Sequence, residues 1–414
     1  MSLKEIVAQA YLDARKAREL DAGAPRWMEG SPPSPDAIVT SRNYMGAPQN
    51  RWGFKNLEKL ARTTSISRGA GPVSTMIHAP QDLSGFEFLS QRGTPVTVQE
   101  HLEATFTDGF LVLKNGKCIY ESYFDGQQAH DRHIMFSATK SIVGLLAEDF
   151  VTKGVIDDSV LATAYIPELA GSAFGDATVR QIMNMTVGID YLEVYDLEAS
   201  STAQFGYASG LWDLPEGHRY ADNICDFLKL QTKKGEHGVR FSYVTACTEA
   251  LAWIVERASD QSIAALVGSV WGKLGCERDA YFVIDAHGRV CSGGGFNATL
   301  RDVARFGLLV AQKGQWNGEQ LFAPDAVARL FQGADLAPYA LNEEFSMWTP
   351  GASYRSQWYV YAGQSVMAVG IHGQIIYVNQ PGNTVIVKQS SSPEAETALD
   401  LDTVVMLREL AERV

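Results

Sequence analysis

The chain has 414 residues, of which 48 are acidic and 35 basic, so its formal net charge is −13. Hydrophobic residues make up 46% and charged residues 20%, as in ordinary globular proteins and unlike disordered ones. The acidic charge argues against binding to nucleic acid or to an anionic membrane, because both need a basic surface. The length predicts two or three domains, or one large two-lobed enzyme.

The sequence has no run of about 18 apolar residues, so we predict no membrane-spanning segment. The first residues form a charged, amphipathic helical pattern without the apolar core of a secretory signal. The five cysteines are scattered and show no CxxC spacing, which favours buried reduced thiols over a zinc site or disulfides. We therefore expect a cytoplasmic protein.

The N-terminal part begins with a segment of irregular composition. Residues 21–55 are rich in Pro, Gly, Ser and Asn, and we predict that residues 1–55 form an extended N-terminal arm. A β-hairpin is predicted next, because two strand-like segments flank Asn115-Gly116, a dipeptide typical of tight turns.

The middle of the chain is predicted to be helical and its end to return to strands. Residues 137–153 and 242–258 carry apolar residues at helical spacing. A second hairpin brackets the turn-forming residues 379–383, and a final helix is expected at 397–413. Strands at both ends around a helical middle predict an α+β fold.

This order of elements predicts two lobes. Residues 1–155 and 275–414 would form a sheet lobe, in which helices flank an antiparallel sheet. Residues 156–274 would form an inserted, mainly helical lobe, with the active site between the two.

A Ser-x-x-Lys motif lies at the start of the first central helix. Ser137 and Lys140 are three residues apart, so their side chains share one helical face. A lysine whose pKa is lowered by burial can remove the proton of a serine hydroxyl, which is a weak nucleophile without such a base. The motif is common, and a simpler interpretation makes Ser137 a helix-capping residue and Lys140 a solvated charge.

Two further elements follow in an order that favours catalysis. Tyr243 opens the helix predicted at 242–258, where its phenol could pass a proton to a leaving group. The glycine-rich segment 368–374 is predicted to be a strand whose backbone completes an oxyanion hole. Taken singly, Tyr243 could be a core residue and the segment an ordinary strand with a bulge.

At these residues the sequence resembles the serine β-lactamase and penicillin-binding-protein superfamily. More narrowly, it is similar to the 6-aminohexanoate-dimer hydrolases and their carboxylesterase relatives. The similarity covers roughly residues 50–395 and includes the segments 50–54, 181–191, 251–257 and 370–374. The resemblance implies a β-lactamase/transpeptidase-like fold and neither a metal nor an organic cofactor.

The resemblance also implies a role for each matching residue. Ser137 would be the nucleophile, Lys140 its general base and Tyr243 the proton relay to the leaving group. The backbone amides of Ser137 and Ile371 would form the oxyanion hole. Tyr195 matches a tyrosine that hydrogen-bonds the scissile amide in the family.

Three more positions are expected to contact substrate. Gly206 falls where amide-cleaving relatives place an Asp that receives the free amine of the substrate. Trp358 is a candidate wall of the acyl pocket, although a core or surface position is as good an interpretation. His372 is included in the substrate site, with a structural hydrogen-bonding role as the alternative.

Departures from the superfamily pattern shape the expected activity. Thr245 stands where β-lactamases have Asn, and His372-Gly373 replaces their Lys-Thr-Gly strand. We expect a serine hydrolase that cleaves small carboxyl esters and, more weakly, linear 6-aminohexanoate-type amides. The alternatives are a D-amino-acid peptidase or β-lactamase-like enzyme, and a catalytically silent ligand-sensing module. The only predicted partner is the small-molecule substrate, and the oligomeric state stays open, a homodimer being one arrangement.

Overall fold

Strands come from both ends of the chain. The computed structural model describes residues 1–21, 23–195, 200–214, 216–217 and 220–414. Its strands are β1 (Thr63–Ile66), β2 (Ile77–His78), β3 (Glu87–Leu89), β4 (Pro95–Thr97), β5 (Thr107–Lys114), β6 (Lys117–Tyr123), β7 (His133–Ile134), β8 (Ala280–Val283), β9 (Phe296–Ala298), β10 (Gln315–Trp316), β11 (Glu319–Gln320), β12 (Ser353–Arg355), β13 (Trp358–Tyr361), β14 (Ser365–Gly370), β15 (Gln374–Asn379) and β16 (Thr384–Ser390).

Helices occupy the middle and both termini. They are α1 (Leu3–Asp21), α2 (Asn50–Gly53), α3 (Val98–Ala104), α4 (Thr139–Thr152), α5 (Val179–Met183), α6 (Ser201–Ala208), α7 (Ile224–Lys229), α8 (Thr245–Ser259), α9 (Ile263–Trp271), α10 (Leu300–Ala311), α11 (Pro324–Gln332), α12 (Leu336–Ala340), α13 (Glu343–Trp348) and α14 (Leu399–Arg413). Among the described residues, none of these helices is both long enough and apolar enough to cross a membrane.

The largest sheet has eight strands in the order β12-β13-β14-β15-β16-β5-β6-β2. Both predicted hairpins are confirmed as β5–β6 and β15–β16. Asn115 and Gly116 turn the first hairpin with φ angles of 50° and 73°, which the Asn-Gly pair adopts at low cost. The expected antiparallel sheet is mixed at one edge, where β2 pairs with β6 in parallel.

Helices cover the sheet and complete the α+β architecture. Helix α10 packs on β5, β15 and β16, while α4 packs on β13 and β14 together with α8 and α11. A second sheet of four strands, β1-β8-β9-β7, joins an early segment of the chain to the region after the central helices. The predicted fold class is therefore confirmed.

The expected division into lobes corresponds to a change in element type. Every element described between Ile156 and Leu274 is helical, apart from isolated β-bridges, and strands resume at Ala280. The exact lobe boundaries remain a prediction.

The extended arm predicted for residues 1–55 is wrong at its start. Residues Leu3–Asp21 form α1, which packs against α3 and α14. The buried side chains of Val7 and Tyr11 explain this, because they give the charged segment one apolar face to bury. The Pro- and Gly-rich composition applied only to the residues after α1, where the elements are short.

Candidate active site

The predicted nucleophile, Ser137, lies in a 3₁₀ turn at Phe136–Ala138, directly before α4. Phe136 has a φ of 41°, in the left-handed region that favours glycine. Its ring contacts those of Phe54 and His372, with centroids 4.9 and 5.5 Å away. This packing holds a strained residue next to Ser137, an arrangement that is frequent at functional sites.

Lys140 occupies the first turn of α4, and its side chain points back to Ser137. Its Nζ donates hydrogen bonds to Ser137 Oγ at 2.8 Å and to the Gly293 carbonyl oxygen at 2.5 Å. Only 1% of Lys140 is exposed, and burial lowers its pKa from 10.5 to about 8. About a tenth of the amine is therefore neutral at pH 7, far more than for an ordinary lysine, and only the neutral form can act as a general base.

Tyr243 lies next to both Ser137 and Lys140. It precedes α8, which begins at Thr245 and so three residues later than predicted. A hydrogen bond joins its side chain to Ser137, and its ring centroid is 5.3 Å from Lys140 Nζ. Burial raises the pKa of the Tyr243 phenol far above 10, so it stays protonated and can donate a proton.

The end of β14 packs directly on the Ser137 turn. A Cβ built on Gly370 would lie 3.0 Å from the Ser137 amide nitrogen and 2.4 Å from the Met135 carbonyl oxygen. Only a residue without a side chain allows this approach. It brings the next residue, Ile371, beside Ser137, and both line the same two cavities. The predicted oxyanion-hole residues are thus neighbours in space.

The two cavities meet at Ser137 and differ in size. The larger has a volume of about 200 Å³ and is lined by Tyr243, by apolar side chains of α13, β14 and α14, and by the acidic residues Glu344, Glu396 and Asp400. The smaller, of about 30 Å³, is lined by Lys140, Gly206 and Trp212. Tyr195, the tyrosine predicted to contact substrate, lines both of them.

Glu193 is a site residue that the sequence analysis missed. Its carboxylate accepts hydrogen bonds from the Thr245 amide at 2.9 Å, from Thr245 Oγ1 at 2.6 Å and from the Tyr195 hydroxyl at 3.1 Å. It therefore links the loop of Tyr195 to the start of α8. The available signal was its position two residues before Tyr195, together with the Thr in place of Asn at 245.

Glu249 and Gly293 form a second network that the sequence did not reveal. The Glu249 carboxylate accepts a hydrogen bond from the Gly293 amide at 2.7 Å, and the Gly293 carbonyl accepts one from Lys140. Glu249 is fully buried, and burial raises its pKa from 4.5 to about 8. This acid fixes the loop that holds the Lys140 side chain in place.

Gly206 lies on α6 under the ring of Trp212. A Cβ on Gly206 would come 2.2 Å from Trp212 Cε3, so any side chain here requires the indole to move. Trp212 was not predicted as a site residue. In this chain it occupies the space above the position where the resemblance implies an Asp in amide-cleaving relatives.

Two expected substrate contacts are wrong. Trp358 is fully buried on β13, and its indole N–H donates a hydrogen bond to the Ser141 carbonyl oxygen at 2.9 Å. His372 is also buried, and its Nδ1 lies 2.7 Å from the Ser392 carbonyl oxygen. Neither is among the described residues that line the two cavities. Trp358 is therefore a core residue of β13. The His372 ring packs against Phe136 in the Ser137 turn, and burial lowers the pKa of His372 to about 4.

A single group of three potential metal ligands occurs among the described residues, away from Ser137. Ligand atoms of His78, Cys118 and Glu121 lie within 4.8 Å of one another. Arg301 already donates two hydrogen bonds to the Glu121 carboxylate, and burial raises the Cys118 pKa to about 11. Both facts disfavour metal ligation here, because a thiolate and a free carboxylate are needed.

The chain is similar to known proteins in both sequence and structure. A model of the β-lactamase family matches residues 97–409. A 6-aminohexanoate-dimer hydrolase of Paenarthrobacter ureafaciens is 32% identical over 392 residues, which cover 93% of this chain and 95% of the relative. A structure described as a candidate 6-aminohexanoate-dimer hydrolase from Bacillus anthracis has a TM-score of 0.82 and 28% identity, over 92% of this chain and 98% of that one. A penicillin-binding protein homologue from Pyrococcus abyssi has a TM-score of 0.56 and 16% identity, over 75% of this chain and 76% of that one.

The chain belongs to the β-lactamase family. Its fold is the α+β fold of β-lactamases and penicillin-binding proteins, as predicted. The chain is a hydrolase of this superfamily, similar along nearly its whole length to 6-aminohexanoate-dimer hydrolases.

Proposed function

We propose that the chain is a serine hydrolase that cleaves small carboxyl esters and, more weakly, linear 6-aminohexanoate-type amides through an acyl-enzyme. The observation that carries this proposal is the buried Lys140 amine, 2.8 Å from Ser137 Oγ, with its pKa lowered to about 8. A structural or solvated lysine needs neither the burial nor the contact with a serine hydroxyl. Tyr243, hydrogen-bonded to Ser137, supplies the proton donor that a leaving group requires.

Acylation begins with the transfer of the Ser137 proton to Lys140 Nζ. The Ser137 oxygen then forms a bond to the carbonyl carbon, and the carbonyl π electrons move to oxygen. The backbone N–H groups of Ser137 and Ile371 stabilise this oxyanion. As the carbonyl re-forms, the bond to the leaving oxygen or nitrogen breaks. Tyr243 donates a proton to that atom and recovers one from Lys140.

Deacylation repeats these steps with water as the nucleophile. Water gives a proton to the Lys140–Tyr243 pair while its oxygen attacks the acyl carbon. The bond between the acyl group and Ser137 then breaks, and the Ser137 oxygen takes the proton back. The products are a carboxylic acid and free enzyme.

The preference for esters over amides rests on Gly206. Relatives that cleave the aminohexanoate amide efficiently are expected to place an Asp at this position, as the resemblance implies. This chain has Gly206 covered by Trp212, so position 206 itself offers no carboxylate to a substrate ammonium group. An alkoxide is also a better leaving group than an amide nitrogen. An ester is therefore cleaved with less help from substrate binding than an amide.

The test compares three substrate classes with purified wild-type protein and the Ser137→Ala variant. These are p-nitrophenyl esters, the linear 6-aminohexanoate dimer and a chromogenic cephalosporin. We expect serine-dependent ester turnover, weak cleavage of the dimer and no cephalosporin hydrolysis. Preferred turnover of the cephalosporin would favour the β-lactamase alternative. Labelling of Ser137 by a fluorophosphonate without turnover of any ester or amide would favour the alternative of a catalytically silent ligand-sensing module.

A further inference from the structure

We propose that the larger cavity beside Ser137 selects esters whose leaving alcohol carries an alkylammonium group, and that Glu344 and Glu396 determine this selectivity. The same two residues would disfavour a leaving alcohol that carries a carboxylate. This inference rests on the proposed function and adds the substrate class to it.

The larger cavity receives the leaving group because the proton donor lines it. Ser137 borders both cavities, whereas Tyr243 is among the described lining residues of the larger one only. A leaving oxygen must lie next to the group that protonates it, so the rest of the alcohol extends into the larger cavity. This cavity is therefore a ligand site for reasons that do not depend on its charge.

The lining of this cavity is acidic. It includes three carboxylates, from Glu344 on α13, Asp400 on α14 and Glu396 in the segment between β16 and α14. None of the described residues that line the cavity is a lysine, an arginine or a histidine. Glu344 and Glu396 remain accessible to solvent. A charged group that enters the cavity therefore meets a negative potential, which attracts a cation and repels an anion.

The carboxylates differ in how their charges are balanced. Asp400 interacts with the buried ammonium group of Lys388, which favours the charged form of Asp400. Glu396 has only negative charges acting on it. Desolvation raises its pKa to about 7, and the neighbouring carboxylates add to this rise, namely those of Asp400, Glu344 and Glu193. A cation bound beside Glu396 would relieve this repulsion, whereas a carboxylate would increase it.

Aromatic rings supply a second feature of alkylammonium sites. The rings of Tyr243, Phe345 and Tyr359 are nearly parallel to one another, with interplanar angles of 13°, 7° and 13° for the three pairs. Trp348 meets the Tyr359 ring edge-on, with centroids 5.0 Å apart. All four residues line the cavity. Aromatic rings bind quaternary ammonium groups by cation–π attraction, so this lining suits an alkylated ammonium better than an uncharged hydrocarbon.

The test keeps the acyl group constant and changes only the charge of the alcohol. The substrates are the acetyl esters of choline, of 3,3-dimethylbutanol, its uncharged isostere, and of 4-hydroxybutanoate, which carries a carboxylate. Hydrolysis is followed at about pH 8, above the pKa of Glu396, and each kcat/KM is divided by the rate constant for alkaline hydrolysis of the same ester. We expect the corrected value to be about tenfold higher for the cationic ester than for the neutral one, and about tenfold lower for the anionic ester. Both differences should shrink in concentrated salt.

Variants that remove a charge identify the residues responsible. Glu396→Gln should lower the ratio of the cationic to the neutral ester about threefold, and Glu344→Gln/Glu396→Gln should lower it further. The ratio compares two esters on one protein preparation, so a loss of folded protein cancels. Glu394→Gln and Glu343→Gln are the matched controls, since these glutamates are exposed neighbours that line neither cavity. Both controls should keep the wild-type ratio.

The outcomes distinguish this inference from the function on which it rests. Equal corrected values for the three esters, or a preference for the neutral or the anionic one, would overturn the inference and leave the serine hydrolase in place. A cation preference that persists unchanged in Glu344→Gln/Glu396→Gln would overturn the role of these residues. Failure of the three acetates and of p-nitrophenyl acetate to turn over would overturn the proposed function as well.

Discussion

Gly370 and Ser137 lie so close together that a Cβ on Gly370 would be 3.0 Å from the Ser137 amide nitrogen. The same Cβ would be 2.4 Å from the Met135 carbonyl oxygen, a distance that real side chains do not adopt. The end of β14 therefore has no freedom to carry a side chain here. The position of the Ile371 amide relative to the nucleophile depends on this contact.

The first prediction concerns this glycine. Gly370→Ala should push β14 away from the Ser137 turn and misplace the Ile371 N–H, so kcat should fall about 100-fold or more, the effect of losing one oxyanion-hole donor. Steady-state kinetics with p-nitrophenyl acetate measures the loss. The matched control is Gly268→Ala, because a Cβ on Gly268 in α9 meets nothing within 4 Å. Equal activity of the two variants would contradict the account.

The second prediction is a pH profile governed by Lys140. Burial lowers the pKa of Lys140 to about 8, and only the neutral amine can accept the Ser137 proton. The value of kcat/KM should thus rise about tenfold per pH unit below this pKa and level off above it. The rates are measured with a neutral ester, whose own charge is constant. A profile that stays flat across this range would argue against Lys140 as the base.

The third prediction assigns Glu193 a positioning role. Burial lowers the Lys140 pKa most, and the negative charge of Glu193 partly opposes this by raising it. Glu193→Gln removes the charge but keeps an oxygen acceptor for Thr245, so the acidic limb of the pH profile should move to lower pH. Glu193→Ala also loses the bonds to Thr245 and Tyr195, and its kcat should fall further. If Glu193 were merely structural, Gln would leave the limb where it is.

The fourth prediction concerns an exchange at Gly206. Gly206→Asp alone should not improve cleavage of the 6-aminohexanoate dimer, because its Cβ would lie 2.2 Å from Trp212 Cε3. The double variant Gly206→Asp/Trp212→Ala frees this space and should cleave the dimer faster than either single variant. Product formation is followed by chromatography of free 6-aminohexanoate. A single Gly206→Asp variant with raised dimer turnover would show that the indole moves readily.

The sequence predicted the parts of the site that depend on local geometry. Ser137, in the 3₁₀ turn, and Lys140, in the first turn of α4, are three residues apart in continuous helical backbone, so their contact follows from helical periodicity. The two hairpins were readable because their turns carry Asn, Gly and Pro. Gly370 was noticed because a glycine in a strand often marks a close approach of backbone or ligand. The catalytic roles of these residues remain predictions for the experiments above.

Contacts between distant parts of the chain were not predictable. Lys140 and Gly293 are 153 residues apart, and the hydrogen bond between them depends on Glu249 in a third segment. Trp212 lines the small cavity through its packing on Gly206 of α6, which no local pattern reveals. Trp358 was misplaced for the same reason, since an aromatic strand residue can face the core or a pocket and only the assembled sheet decides.

The formation of an acyl-enzyme on Ser137 is the central claim. The most direct measurement is rapid-quench mass spectrometry of wild-type protein during turnover of p-nitrophenyl acetate, with Ser137→Ala in parallel. We expect an acetyl group on the peptide that contains Ser137, decaying at a rate consistent with kcat, and neither adduct nor turnover in Ser137→Ala. Near-normal turnover by Ser137→Ala, or an adduct on another residue, would contradict the mechanism.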